Sequence, residues 1–517
     1  MIRDILAQAV WVQQCESPGL EMIPVAPWSR PKPTPEHMAW PAIPGGPLRL
    51  RAQAVRFLQR LHTSELSNIQ KFVVQDLQSC VRVGTGCSGT DSPLLSLHAL
   101  SEALREHLGL NLEIKPVWSC ETKTGKREFI KAVWPGATVF KDLHETKSGV
   151  ATEHSGEQLE VNEVDMFVAG FPCTSASRLN VHSRSASNLS CIQRKELATG
   201  SVFDALVSTV ARPKVNRRLK WLALENVTDL VKIAPGGRSN FDWVCHTIKE
   251  RLNMITIAWH LTPTDFGCCQ RRPRLWMLCV KESDLSMSEA EAREYANSLM
   301  CRLTGSQMTA LDEVLLPPGH QLLTENHKVN LWKNDPGMAS VVFGGVMAPA
   351  VTRTRRQCQG HGRPGINKQM TSKSILVHKD HFIKRGMRPK EFTDMDYMIH
   401  PGIAAMTTRE LWVAQLAGVQ NWPEENPSAL ELSQSFGRQK VSLGVSPCII
   451  PKGRIYFPHL CRLQLPIESL RLQGIFYDAD IVTSFPEKMV ADLAGNAFET
   501  TSCLACVVVG IALLSCQ

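Results

Sequence analysis

The chain has 517 residues, 43% hydrophobic and 21% charged, an ordinary globular composition that excludes a disordered or fibrous polymer and leaves room for two or more domains. A formal net charge of +8 is compatible with a polyanionic partner but is no evidence for one by itself. Seventeen cysteines without a regular framework, behind no secretory signal, read as free thiols of a reducing, intracellular compartment: the nucleus for a eukaryotic source, the cytoplasm for a bacterial one.

In chain order, the stretch to about Leu20 suits a short helix. Prolines then crowd the span Pro24 to Pro47, which suits an extended linker or irregular wrap, with Trp28 and Trp40 to pack it against something. Residues 50–80 are amphipathic and helical, so 1–80 reads as an N-terminal extension. From 81 to 282 short apolar runs alternate with helical patterns. Strands are expected at Val81–Val83, Glu113–Ser119, Ala137–Phe140, Asp165–Ala169, Trp221–Leu224, Thr256–Leu261 and Leu275–Val280. Helices are expected at Pro93–Leu108, Lys126–Trp134, Val202–Val210 and Phe241–Leu252. That alternation predicts an α/β doubly wound sheet with helices on both faces.

Residues 283–455 are irregular and carry basic clusters, at Arg353, Arg355 and Arg356 and again from Lys384 to Lys390. They read as a smaller, loop-rich unit, the basic clusters being phosphate contacts or a solvated face. Periodicity returns in 456–517. The apolar tail Leu504–Leu514 is shorter than the roughly 20 residues a bilayer needs, so no membrane span is expected. Cys503 and Cys506 sit inside that tail and read as a buried helix face; no metal site is expected.

The chemistry gathers at the predicted strand ends. Gly84-Thr85-Gly86-Cys87-Ser88-Gly89-Thr90-Asp91 follows the first strand and precedes a helix, where glycines let backbone turn and approach a ligand. The second strand ends at Glu121, placed for ribose hydroxyls, and the third at Asp142, placed for an adenine amino group. Each acid alone reads as a solvated strand end; the succession points to an adenosine-containing cofactor. Val164–Ala169 then runs into Gly170-Phe171-Pro172-Cys173. Proline cannot continue a ladder, so the strand stops and a thiol is lifted clear of the sheet edge. Leu222–Leu224 ends likewise in Glu225-Asn226-Val227, where Glu225 is either a structural cap or a carboxyl facing the same pocket. In Gln270-Arg271-Arg272-Pro273-Arg274, alternation puts Gln270, Arg272 and Arg274 on one face of an extended segment.

In this order, with Leu465–Ile475 and Ala494-Gly495-Asn496-Ala497 near the end, the segments resemble the DNA (cytosine-5) methyltransferase family. The resemblance covers about 81–516 and implies a Rossmann-like methyltransferase sheet at 81–282, a smaller irregular target-recognition domain at 283–455, and C-terminal helices returning to the sheet at 456–517. It implies methyl transfer from S-adenosylmethionine to C5 of a cytosine flipped out of duplex DNA. Cys173 would attack C6, Glu225 contact N3 and the amino group, Arg274 hold the base from its O2 side, and Arg272 support the loop or a phosphate. Gly84, Gly86, Gly89, Glu121, Asp142, Pro172 and Asn496 would hold the cofactor. Arg178 and Arg184, in an active-site loop over 175–200, would meet DNA together with Arg353, Arg355 and Arg356. Gly84 and Ser88 stand where the family usually has an aromatic residue and a glycine, and Thr174 where a glutamine often follows the cysteine. The same chemistry on tRNA, and a non-catalytic DNA-binding module, are the alternative readings. A monomer without a membrane partner is expected.

Overall fold

The computed structural model describes residue 46 and residues 48–323 and 427–516, except 178, 179, 181, 184, 235, 236, 318, 434–440 and 461. The Pro-rich N-terminal segment and the five arginines expected to meet DNA, Arg178, Arg184, Arg353, Arg355 and Arg356, lie outside the described residues.

A seven-stranded mixed sheet organises the chain. Its strands, with a small hairpin counted in sequence, are β1 (Cys80–Gly86), β2 (Glu113–Cys120), β3 (Thr138–Phe140), β4 (Val150–Thr152), β5 (Gln158–Glu160), β6 (Met166–Ala169), β7 (Trp221–Val227), β8 (Met254–Leu261) and β9 (Arg274–Lys281). The order is β3-β2-β1-β6-β7-β9-β8, while β4 and β5 form a separate two-stranded sheet. All neighbours from β3 to β7 pair in parallel; β9 runs antiparallel to both β7 and β8. The chain winds outward from β1 in one direction through β3, then restarts at β6 in the other. The strand order therefore reverses between β1 and β6, and a ligand crevice belongs at the carboxyl ends of those two strands.

The central strand β6 is apolar on both faces because helices cover both. Met166 and Val168 join one core layer; Phe167 and Ala169 join the other. The first layer holds helices α1 (Arg49–Gln59), α2 (Thr63–Lys71) and α3 (Ser92–Leu108). Helix α4 (Thr124–Val133) follows β2, and α5 (Leu197–Val210) and α6 (Asn240–Leu252) fill the second layer. Helix α7 (Glu289–Leu303) lies past residue 282, yet Ala292, Ala296, Leu299 and Leu303 join the first layer. Arg60, just past α1, ties it to α7 by donating to the carbonyls of Leu303 at 2.6 Å and Thr304 at 2.8 Å.

Beyond α7 the described residues form a second sheet, β10 (Ser428–Glu431), β11 (Val441–Leu443), β12 (Ile455–Phe457) and β13 (Arg462–Leu463), in the order β11-β10-β12-β13 and antiparallel throughout. It packs on α8 (Pro466–Leu472) and α9 (Glu487–Asn496) through Ala429, Ile455, Phe457, Leu470, Leu472 and Leu493. Glu468 locks this junction. Its carboxylate is fully buried, takes a bidentate pair from Arg462 at 2.6 and 2.7 Å, and accepts from Leu316 N and Leu465 N at 2.9 Å each. Glu468→Ala would strand a half-buried guanidinium and two amides. A loss of about 3–5 kcal/mol is expected in denaturant titrations, with Glu468→Gln recovering part of it; an unchanged midpoint would contradict this.

The last helix, α10 (Thr500–Leu514), is buried along its whole length in the first layer. By length and composition Glu487–Leu514 is apolar enough to cross a membrane, but the apolar window is entirely buried in the fold. Gly510 lets α10 lie close against the sheet: a Cβ there would stand 3.1 Å from Leu278 Cδ1. Cys503 and Cys506 are fully buried on this helix, and burial pushes the Cys503 thiol up to about 12.

Candidate active site

The loops after β1, β2, β6 and β7 and the segment leading into β9 converge at the crevice. The Pro-Cys loop comes first. Phe171 is buried against Phe203, with ring centroids 5.2 Å apart. The fully buried Asn226 donates from Nδ2 to the carbonyl of Phe171 at 3.0 Å. A turn opens at Cys173, whose carbonyl accepts from Ala176 N and Ser177 N. The backbone is thus fixed on both sides of a partly exposed thiol. Gly170 is a spatial requirement, since a Cβ there would meet the Phe498 ring at 2.8 Å and Glu225 Oε2 at 3.5 Å.

Glu225 and Arg274 form an ion pair, Nε to Oε1 at 2.9 Å, with side chains 13% and 15% exposed. Arg274 also donates from Nη1 to the carbonyl of Pro273 at 2.8 Å and from Nη2 to Cys448 Sγ at 3.8 Å. The pair and Cys173 sense one another. Burial pushes the Cys173 thiol up, Arg274 and Arg272 pull it down, and the Glu225 carboxylate pushes it up again, with a net rise. The thiol is the resting form at neutral pH, and the reactive thiolate grows about tenfold per pH unit below its pKa. Alkylation of Cys173 by iodoacetamide is therefore expected to accelerate about tenfold from pH 7 to 8 and to slow in Arg274→Ala. A flat profile, followed by peptide mass spectrometry, would refute this balance of charges.

Gln270, Arg272 and Arg274 alternate inward as the extended spacing predicts, with Arg271 and Pro273 exposed between them. Their environments differ. Arg272 is 3% exposed and donates to the carbonyls of Ile449 at 2.8 Å, Ala497 at 2.8 Å and Gly495 at 3.3 Å. These bonds tie the segment ahead of β9 to the stretch after β11 and to the end of α9. Asn226 and Cys448 were not singled out as site residues in the sequence. Asn226 lies inside a motif that was; Cys448 carries no local signal and reaches Arg274 only through the fold.

On the other side of the crevice lies Cys87–Asp91. Cys87, Gly89 and Asp91 all have positive φ, at +54°, +57° and +54°. The buried Asp91 carboxylate accepts from Thr85 Oγ1 at 2.6 Å and from Ser119 Oγ. Burial raises its pKa, and the hydroxyls of Ser119, Thr85 and Ser88 pull the other way. Gly89 N donates to Glu121 Oε2 at 3.1 Å, and Lys123 N to Oε1 at 3.0 Å. Asp142 is half-buried and caps a short turn through His144 N at 2.8 Å.

Gly84 and Gly86 lie within β1, ahead of the loop. A Cβ on either would stand 2.9 Å from the Phe167 ring. Packing against Phe167 thus explains these two glycines without a ligand. Gly89 differs: its missing side chain would point into open space, which suits close approach of a ligand to backbone. The open face at Gly89, the Glu121 carboxylate and Asp142 fit a nucleoside cofactor with ribose hydroxyls and an amino group. Pro172 precedes the thiol on the same rim. Asn496 is exposed at the end of α9, its amide folded back on Asp492.

The loop after Cys173 packs onto α6: Asn240 accepts from Ile192 N at 3.1 Å and donates to the carbonyl of Asn188 at 2.8 Å. An open depression of about 540 Å³ is lined by Thr174, Ser175, Asn180, His182 and Asn188 among others, in the segment that follows Cys173. Among the described residues no cluster of His, Cys, Asp and Glu is arranged to hold a metal.

Two curated proteins share part of this sequence. DNA (cytosine-5-)-methyltransferase DMT5 of Cryptococcus neoformans var. grubii is 34% identical over 466 residues, covering 87% of this chain and 18% of that protein. DMT5 of Verticillium dahliae is 22% identical over 457 residues, covering 81% and 19%. The chain thus spans about a fifth of the length of these relatives. Among solved structures, the Entamoeba histolytica methyltransferase EhMeth aligns with 83% of this chain and 97% of its own at 10% identity and a TM-score of 0.40. S. pombe Dnmt2 methyltransferase aligns with 84% and 98% at 13% identity and a TM-score of 0.38. The family profile for C-5 cytosine-specific DNA methylases matches residues 100–437, well over half of the sequence. On that match the chain belongs to the C-5 cytosine-specific DNA methylase family.

Proposed function

We propose that the chain methylates C5 of cytosine in duplex DNA through a covalent bond from Cys173 to C6 of a flipped base. The observation that carries this is the Glu225–Arg274 pair beside Cys173, at the point where the strand order reverses. S-adenosylmethionine, held by Gly89, Glu121 and Asp142, would supply an electrophilic methyl group. The Cys173 thiolate forms the S–C6 bond, and the electron pair of the C5–C6 double bond moves toward C5. Glu225 bonds N3 and the amino group of the base, and Arg274 holds its O2 side, so charge leaving C6 is drained through the ring. The nucleophilic C5 would take that methyl group, the S–CH3 bond of the donor breaking with its electron pair left on sulfur as a neutral thioether. Loss of the C5 proton then expels Cys173 from C6, restoring the double bond and the thiolate. Arg178, Arg184, Arg353, Arg355 and Arg356 would meet phosphates.

Transfer of labelled methyl from S-adenosylmethionine to unmethylated duplex DNA, with tRNA alongside, tests this. Label in DNA is the expected result. Label confined to tRNA would overturn the substrate and keep the chemistry. No label in either, with DNA still bound, would make the chain a non-catalytic DNA-binding module.

A further inference from the structure

We infer that Tyr477 is a positioning residue of the cofactor site, holding the Cys87–Asp91 loop in shape from the C-terminal unit. This rests on the reading above for the identity of the ligand. The loop cannot hold its shape by local preference, because Cys87 and Asp91 sit in the left-handed region that L-residues enter at a cost. From inside the sheet, the Asp91 carboxylate secures it through Thr85 and Ser119. From outside, the Tyr477 hydroxyl donates to the carbonyl of Thr90 at 2.7 Å. That carbonyl lies between the two positive-φ residues Gly89 and Asp91.

The same hydroxyl accepts from Trp134 Nε1 at 3.3 Å. Trp134 closes helix α4, which begins just past Glu121, and its ring stacks on His98 with centroids 5.2 Å apart and planes 11° apart. One phenol oxygen therefore joins the loop after β1 to the helix after β2, the two elements that carry Gly89 and Glu121. Asp492 on α9 closes a second clasp, pairing with Lys126 at 2.9 Å and Lys123 at 3.0 Å. The Thr90 hydroxyl is fully buried and has no partner among the described residues, so the loop also holds a donor the fold itself does not use. Tyr477 follows α8, which packs on the second sheet, so the unit beyond the crevice sets the geometry of its cofactor side.

The test is Tyr477→Phe in the full chain. Phenylalanine keeps the edge-on packing against Phe129 (centroids 5.7 Å apart) and Trp134 (6.3 Å) and loses only the hydroxyl. The Kd and KM for S-adenosylmethionine are expected to rise about fivefold, the effect of one neutral hydrogen bond. The kcat at saturating cofactor should be unchanged, and the melting temperature should fall by only a degree or two, on the order of one hydrogen bond in a chain of this size. Amide exchange over residues 87–91 of the free protein should speed by a similar factor. Trp134→Phe should move the same quantities the same way and by less. Wild-type cofactor affinity and wild-type exchange in Tyr477→Phe would overturn the assignment. Faster exchange in a protein that binds no S-adenosylmethionine even as wild type would instead sink the ligand reading and leave the positioning role.

Discussion

Cys173→Ala is expected to lose methyl transfer by about ten-thousand-fold or more, the scale on which removing a nucleophile acts. Affinity for duplex DNA should stay within about twofold, since one partly exposed thiol adds little to a phosphate-dominated interface. The backbone should not move, because the loop is held by groups other than the thiol: Asn226 on the carbonyl of Phe171, the Phe171–Phe203 contact, and the turn hydrogen bonds to the carbonyl of Cys173. Cys173→Ser is expected to fail almost as badly. A hydroxyl is far less acidic than a thiol, and burial beside Glu225 would raise it further. Duplex DNA carrying 5-fluorocytosine separates chemistry from binding, since a C5–F bond cannot lose a proton and the S–C6 adduct would persist. Wild type should give a slow-migrating, denaturant-resistant complex that Cys173→Ala does not form. An adduct retained by the alanine variant, or methyl transfer reduced only severalfold, would place the nucleophile elsewhere.

The middle of the sheet was legible because two of its strands hold short, fully apolar runs. Met166–Ala169 and Trp221–Leu224 stand out before any pairing is known, and both are inner strands. Two strand ends were harder to read. The ladder of β7 continues through Glu225 and Asn226 to Val227, paired with Arg274; their polarity looks like a strand end because their side chains serve the crevice. The ladder of β1 continues through Gly84 and Gly86 because the Phe167 ring lies over the backbone, while glycines in a sequence signal a turn. Helix α7 carried its own signal, with Ala292, Ala296, Leu299 and Leu303 at helical spacing behind a Ser288–Glu291 capping box. It fell into the irregular region because the strand alternation had stopped. No local pattern announces the bond from Tyr477 to Thr90, since the partners lie 387 residues apart.

Arg272 and Arg274, two residues apart in one motif, are expected to separate stability from chemistry. Arg272→Ala removes a buried cation whose Nη1 and Nη2 hold the carbonyls of Ile449, Ala497 and Gly495. The two shorter of these, to Ile449 and Ala497, come from a charged donor at about 1.5–3 kcal/mol each and put the loss near 3–6 kcal/mol. Arg272→Lys should recover little, because one ammonium cannot span carbonyls on two segments as a planar fork does. The loss should be local first: the link from the second sheet to the Gly495–Ala497 turn opens, and exchange speeds at residues 446–450 and 494–498 before the seven-stranded sheet melts. Arg274→Ala should behave oppositely. Its partners are the Glu225 carboxylate, its neighbour's carbonyl and a thiol at the rim of the crevice, where water can reach the carboxylate left behind, so thermal stability should fall by less than in Arg272→Ala. Methyl transfer should nevertheless fall by about a hundredfold or more, as when one preorganised charge is taken from a developing transition state. A chain in which Arg272→Ala melts like wild type, or Arg274→Ala keeps full turnover, would reverse the roles the geometry gives to these two side chains.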